Sequence, residues 1–545
     1  MVAADLALYP PHRQHRAVAM GRRGAIASQS PLASAAGLRI LQEGGNAVDA
    51  AIAIAAVECV ALPMLCGLGG DTFAIVHAPD GRVQALNSSG AAPLALTAEE
   101  FRRRGLTLPP FRGAESAAVP GSVAAWEALC NSFGTMPLSA LLAPAIWYAE
   151  HGVPVDERQA EVIALVAPTL QQEALRVYLP RGRPPLPGEL LVQPAVAAAL
   201  RAIAEGGAAA FYRGPLAEAM VADLQRGGSR YTLADFAAHR AEVLAPLRGR
   251  YRGYEIVQTP PVSQGAVMIE ALHLLDGFEL AGPLDPRTLH LQVEAIRLAF
   301  ADRRQYLGDP RMTAFDVAAL LSPQFAARRR AAIDPHRAGS GAPAGPFDFG
   351  GDTTSFVVAD ATGWGVSFIH SISSAGGAGA LAGGILLNNR LGRGFTLEPG
   401  HPNELAPGKR TMHTLNCYAV LKDGVLRYLG GTPGGDGQPQ WNLQVICNLI
   451  DFGMTVQEAA EWPRWMVAPA TDPVTLDDPP RLDLDGRYPA EVVDALGRLG
   501  HPVRHVAPWD PGRVGAAVQL LHCDPERGVL SAGSDPRGAG QAVVW

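Results

Sequence analysis

The sequence predicts an α+β fold, on three observations. A front of helical patterns with a few short strands runs to about residue 330. Residues 328–351, "RRRAAIDPHRAGSGAPAGPFDFGG", then lose all apolar period in a Pro-, Gly-, Ala- and Ser-rich linker, a natural place for a cut. Beyond it the chain turns β-rich. At 545 residues the protein can build a large core and more than one lobe. It is 48% hydrophobic and 18% charged, and its many Ala, Gly and Pro residues have no fixed period, which describes a compact enzyme-like globule and excludes a collagenous or disordered chain. A net charge of −7 leaves no basic footprint for nucleic acid.

In order, "SAAGLRILQEGGNAVDAAIAIAAVECV" reads as two helices, the first closed by Gly44-Gly45 and the second opened by Asn46 as N-cap. "TFAIVHAPDGRVQALN" reads as a hairpin turning at Pro79-Asp80-Gly81. Residues 120–330 read as largely helical: Leu289, Val293, Ile296 and Phe300 share one helix face, and "EIVQTPPVSQG" interrupts as a strand entering a loop. After the linker come "TSFVVAD", "GWGVSFIHSI" and "LNCYAVLKDGVLRYLGG" as strands, the last turning at Lys422-Asp423-Gly424, then the helix "QPQWNLQVICNLIDFG". There is no internal repeat.

The N-terminus has no apolar stretch long enough for a signal-peptide core. The run "AVDAAIAIAAVECVALPMLCGLGG" is interrupted by Asp49, Glu58 and Pro63, so it reads as a buried helix and not as a membrane span. A soluble, cytoplasmic protein is expected. Cys59, Cys66, Cys130, Cys417, Cys447 and Cys523 form no CxxC pair and no metal-like spacing with His, and read as reduced, buried small hydrophobes. No metal and no cofactor is expected.

Several motif classes are absent. "AGGAGALAGG" lacks the Lys-Ser or Lys-Thr of a P-loop, Gly67 to Gly70 is too short for a dinucleotide fingerprint, and neither G-x-S-x-G nor H-E-x-x-H occurs. His290, His370 and His413 are scattered. "GGDTTSFVVAD" remains, and it has two readings. One is a turn feeding a strand. The other is a cut between Asp352 and Thr353, in which the Thr353 hydroxyl attacks the preceding carbonyl and the freed α-amine, titrating near about pH 8, becomes its base. Gly350 and Gly351 permit the unusual dihedrals such a step needs.

The surrounding pattern favours the second reading. "GGDTTSFVVADATGWGVSFIHSISSAGGAG", "GILLNNR", "GKRTMHTL" and "GGTPGGDGQPQ" resemble, in that order, the small subunit of the γ-glutamyltransferase family, self-cleaving N-terminal-nucleophile hydrolases. "SPLASAAGLRILQEGGNAVDAAIA", "GLGGDTFAIVH", "SAAVPGSVAAWEAL", "FGTMPLSALLAPAIWYAEHG", "RLAFADRRQYLGDP" and the closing "GSDPRGAG" resemble its other segments, so the likeness runs from about residue 20 to the C-terminus. It implies a four-layer αββα sandwich, a large subunit of residues 1–352 and a small subunit of residues 353–545. It also implies an αβ heterodimer whose further dimerisation stays open. By matching position, Thr353 is the nucleophile and its amine the base. Ser371 stands where a second hydroxyl, usually Thr, hydrogen-bonds the nucleophile, and Gly434 and Gly435 match the glycine pair of the oxyanion hole.

The chain departs from the family where a glutamyl group is held. Ser89 in "LNSSGAAP" stands in place of a large-subunit Arg. Ser373 takes an Asn position, Arg390 a Gln position, Arg393 falls at or beside an acidic one, and His413-Thr414 replace a Ser pair. Charge has inverted where an ammonium group would sit, and Arg390 there would attract a carboxylate. A solvated loop for Arg390 and Arg393, and a structural hydrogen bond for His413, are the alternatives. The block resembles the branch that includes oxamate amidohydrolase, which implies a small-molecule amide substrate bearing a carboxylate. A γ-glutamyltransferase or glutathione hydrolase, an acylase for larger amides and an unprocessed, non-enzymatic binding protein stay open, as does transfer against hydrolysis.

Overall fold

The structure is a computed structural model that describes residues 15–339, 353–468, 480–510, 514 and 516–545. Two seven-stranded sheets lie face to face with helices covering both outer faces. The predicted αββα sandwich is therefore present. The first sheet runs, edge to edge, Gln541–Val544, Gly24–Ser28, Thr354–Asp360, Gly365–Ser371, Asp71–His77, Val83–Ser88, Glu242–Leu244. The second runs Ala19–Gly21, Val529–Ser534, Gln519–Asp524, Val425–Gly431, Cys417–Lys422, Tyr254–Gln258, Leu247–Tyr251. All neighbours in both are antiparallel.

Alternation divides each strand between two layers. In the first sheet Phe73, Ile75, Val357, Ala359 and Ile369 point at the second sheet and meet Val257, Cys417, Ala419, Leu429 and Leu521. Their neighbours Ala74, Val76, Phe356, Val358, Val366 and Phe368 point the other way, into the helices. Fourteen positions of the helix Ala47–Ala61 are buried, as its all-round apolarity requires. Asn46 caps it with a capping box to Asp49, as expected, and the Asp360 carboxylate at the end of a sheet strand accepts from Ala47 N–H at 2.8 Å. Gly44 (φ +97°) closes the preceding helix, Pro31–Gln42. Both expected hairpins form, with Asp423 (φ +52°) and Gly424 (φ +79°) making the second turn.

The division into a helix-rich front and a β-rich back does not describe how the layers are built. Each sheet interleaves strands from both sides of residue 353. The stretch expected to be largely helical gives the two main sheets the expected strand Tyr254–Gln258 and two that were not expected, Glu242–Leu244 and Leu247–Tyr251, besides a small two-stranded sheet of Val153–Pro154 and Leu190–Leu191. The linker also starts later than its composition suggests. The helix Pro323–Arg330 enters it, Ile333 is buried, and Ala338 N–H donates to Leu499 O at 2.7 Å. The remainder of that stretch, with Asp352, lies outside the described residues. Among the described residues no helix is long and apolar enough to cross a membrane.

Candidate active site

Register assembles the site. Thr354 pairs with His370, so Thr353, one residue earlier, falls opposite Ser371. Ser371 pairs with Asp71, and the Thr72–Ser88 pair sets Asp71 opposite Ser89. Thr353, Ser371, Asp71 and Ser89 thus form one row across four adjacent strands, on the face that looks at the second sheet. All four are at least 98% buried. Thr353 Oγ1 has no hydrogen-bond partner among the described residues, while Ser371 Oγ accepts from Ser373 N–H at 2.7 Å.

Asp71 is the centre of the row, and the motif reading passed over it. Its Oδ1 accepts from Gly90 N–H at 2.9 Å and its Oδ2 from Arg390 Nε at 3.2 Å, with His413 Nε2 at 3.5 Å from Oδ2. Burial raises its carboxyl above the usual range, and Arg390 and the Gly90 N–H pull against that rise. Arg390 and Arg393 both sit in the short buried helix Arg390–Gly394, so the solvated-loop reading is wrong for them. Arg393 donates to Ser373 O at 2.8 Å, and Ser373 itself is held at φ +86°. Asn388 and Asn389 fix this helix start. Asn388 bridges Gly69 O, Ala118 and Arg390 N–H, and Asn389 holds Ser374 and Phe111 O. They stand in the quoted "GILLNNR", where Asn before a charged helix start was the available signal.

His413 has no hydrogen bond at either ring nitrogen among the described residues, so the structural-hydrogen-bond reading fails there. Its ring lies 4.9 Å from that of Phe73. Burial, then Arg390, Arg410 and Arg393, push its pKa well below the usual histidine value. Buried His239 and His501 are likewise pushed down to about 3, chiefly by burial. All three therefore stay neutral while the unfolded chain takes up protons below about pH 6.5, so native stability falls with acid by about 1.4 kcal/mol per pH unit per group. Urea unfolding at pH 7 and pH 5 checks this: His413→Asn is expected to remove about one proton's share of the slope.

Gly434 (φ +113°) and Gly435 (φ +55°) follow the strand Val425–Gly431 of the facing sheet, at the end where Ser355 of the Thr353 strand lies against Gly431. A Cβ on Gly434 would run into the buried Trp441 ring. A buried chain fixes the pair: Asp436 pairs with Arg303 NH1 at 2.5 Å, Arg303 donates to Gln264 Oε1, and Gln264 Nε2 donates to Gly435 O at 3.1 Å and to Thr414 O. Among the described residues neither Gly434 nor Gly435 N–H has an acceptor. Gly434→Ala adds positive-φ strain to that clash. It is expected to cost about 2–4 kcal/mol in urea unfolding and to remove detectable turnover.

Two face-to-face antiparallel sheets between helix layers, with a buried threonine at the head of a central strand, make the α+β sandwich of an N-terminal-nucleophile type of hydrolase. The model of the γ-glutamyltranspeptidase family matches residues 33–545. The glutathione hydrolase-like YwrD proenzyme of Bacillus subtilis is 37% identical over 539 residues, covering 96% of this chain and 99% of that protein. The oxamate amidohydrolase proenzyme of Klebsiella pneumoniae is 37% identical over 526 residues, covering 94% and 97%. The crystal structure of a cephalosporin acylase from Bacillus halodurans superposes with a TM-score of 0.90 at 36% identity, covering 98% of each chain. The protein belongs to the γ-glutamyltranspeptidase family and is an enzyme of it.

Proposed function

We propose that this chain is a self-processing amidohydrolase. It cuts its Asp352–Thr353 bond to give subunits 1–352 and 353–545, then hydrolyses a small amide bearing a carboxylate, of the oxamate kind, through a Thr353 acyl-enzyme. The observation that carries this reading is the closed row of Thr353, Ser371, Asp71 and Ser89 with Arg390 seated on it and Arg393 beside it. The relatives named above act on different substrates by their names, so family membership alone leaves the substrate open.

In the proposed turnover the Thr353 amine takes the hydroxyl proton and Oγ1 attacks the amide carbon. The oxyanion falls to the Gly434 and Gly435 N–H groups, and Ser371 orients the nucleophile. The C–N bond breaks, ammonia leaves with the transferred proton, and water cleaves the ester to release a dicarboxylate. The substrate carboxylate lies one or two bonds from the reacting carbon, so its cation must be close and rigid, which a buried arginine supplies.

A γ-glutamyl hydrolase is the second reading, favoured by Asp71, a carboxylate that could meet an ammonium group. Both its oxygens already accept hydrogen bonds, one of them from a guanidinium, which weighs against it. Ammonia release from oxamate, measured beside p-nitroaniline release from γ-glutamyl-p-nitroanilide and hydrolysis of a glutaryl amide, tests the choice. Oxamate is expected to lead in kcat/KM by about 100-fold or more, the scale on which a charge-matched buried site discriminates. Faster turnover of the γ-glutamyl or glutaryl compound overturns the proposal.

A further inference from the structure

Behind the reactive row, on the other face of the same sheet, lies a second polar row of Thr354, His370, Thr72 and Ser88. It points into the helix layer, against the buried helix Ala47–Ala61. Thr72 and Ser88 reach Ser122 Oγ and Gly121 O. His370 and Thr354 are different: His370 Nδ1 and Thr354 Oγ1 are buried and have no hydrogen-bond partner among the described residues.

His370 is nonetheless held firmly. Its Nε2 meets Glu58 Oε2 at 2.9 Å, and Glu58 Oε1 accepts from Gln29 N–H at 3.2 Å. Both side chains are fully buried. Donating Nε2–H to a carboxylate sets the imidazole so that Nδ1 faces away from Glu58, an arrangement common to metal-binding histidines. Two sulfurs gather there. Cys59 lies in the last turn of the buried helix, Cys66 closes the turn after it through Cys66 N–H to Leu62 O at 3.2 Å, and the donor atoms of Cys59, Cys66 and His370 all lie within 4.8 Å of one another. Apart from the weak Cys66 thiol beside it, Nδ1 has no hydrogen-bond partner among the described residues, so it is poorly satisfied in either protonation state.

We propose that Cys59 Sγ, Cys66 Sγ and His370 Nδ1 form a structural binding site for one zinc-type divalent cation, with Glu58 orienting the imidazole. Two thiols and an imidazole are a donor set that zinc prefers, and Thr354 Oγ1, directly across from His370, is an oxygen on hand for a fourth position. Binding forms two S–metal bonds and one N–metal bond, and the thiol protons and any imidazolium proton pass to water. The cation would fasten the two strands whose ends carry Thr353 and Ser371 to the helix layer, and it takes no part in the acyl chemistry. Sequence spacing hid the site, because His370 is more than three hundred residues from either cysteine.

The test is metal content of the full-length protein made in zinc-supplemented medium and desalted without chelator. About one zinc per chain is expected. It should fall to background in Cys59→Ala/Cys66→Ala and in His370→Gln, and stay unchanged in Cys130→Ala. Cobalt substitution should give a near-ultraviolet thiolate-to-cobalt band in the parent that is lost in the double variant. Circular dichroism and the melting profile identify a variant that fails to fold, and the cobalt band of the parent decides in that case. Background zinc in the parent with no cobalt band, or zinc retained by a folded double variant, overturns the proposal.

Discussion

Thr353→Ala is expected to leave one uncut band of 57.2 kDa and to lower amide turnover by about 10,000-fold or more, against two bands for the parent. On the proposed mechanism one hydroxyl serves twice. In processing it attacks the Asp352 carbonyl, the amide becomes an ester, and water then releases the Asp352 carboxyl and the Thr353 amine. In turnover the same oxygen carries the acyl group. Removing it therefore stops the step that makes the base as well as the step that uses it, and the two losses cannot be separated by adding base from solution. The usual objection is that a silent variant has merely unfolded. Here the substitution deletes a buried oxygen that has no hydrogen-bond partner among the described residues, so no donor or acceptor is orphaned and the melting temperature should change little. Thr353→Ser supplies the complementary check: it keeps the nucleophile and should still be cut, more slowly because the lost methyl frees the rotamer. A Thr353→Ala protein that still yields fragments 1–352 and 353–545 rejects self-processing by this residue.

What could be read from the sequence follows from how local the physics is. The Asn46 cap, the Pro79-Asp80-Gly81 hairpin and the Asp423-Gly424 turn rest on contacts within a few residues, and each was found. The hairpin between Leu247–Tyr251 and Tyr254–Gln258 was missed because its turn is Arg252-Gly253, with Arg252 at φ +49°. Arginine gives no turn signal. The cost is offset by distant partners, Asp451 at 3.0 Å and the backbone carbonyls of Asp276 and Phe278, which no local window contains. The site divides in the same way. Motif order supplied Thr353, Ser371, Arg390 and the glycine pair, but Asp71 gains its meaning only from strand register, which pairs it with Ser371 three hundred residues away. The Asp436–Arg303–Gln264 chain under the glycine pair was hidden for the same reason: it joins three segments through side chains buried between layers.

Arg390→Lys should lower kcat/KM for oxamate by about 100-fold while leaving the cut at Thr353 and the melting temperature near those of the parent. The choice of lysine matters. Arg390 is 99% buried and its Nε lies on Asp71, so a neutral replacement would leave a buried carboxylate without its cation and cost about 3–5 kcal/mol of stability, confusing binding with folding. Lysine keeps the charge for Asp71 but has no planar fork, so it cannot hold Asp71 and grip a substrate carboxylate at the same time in fixed geometry. The loss should appear mainly in kcat, because a carboxylate next to the scissile carbonyl sets the angle at which Thr353 Oγ1 approaches, and misorientation is felt most at the transition state. Arg390→Gln with Asp71→Asn removes both charges together and should restore much of the stability that Arg390→Gln alone loses, without restoring oxamate turnover. Arg390→Lys with parental kcat and KM would show that the arginine serves Asp71 alone, and the substrate carboxylate would then have to be sought at Arg393.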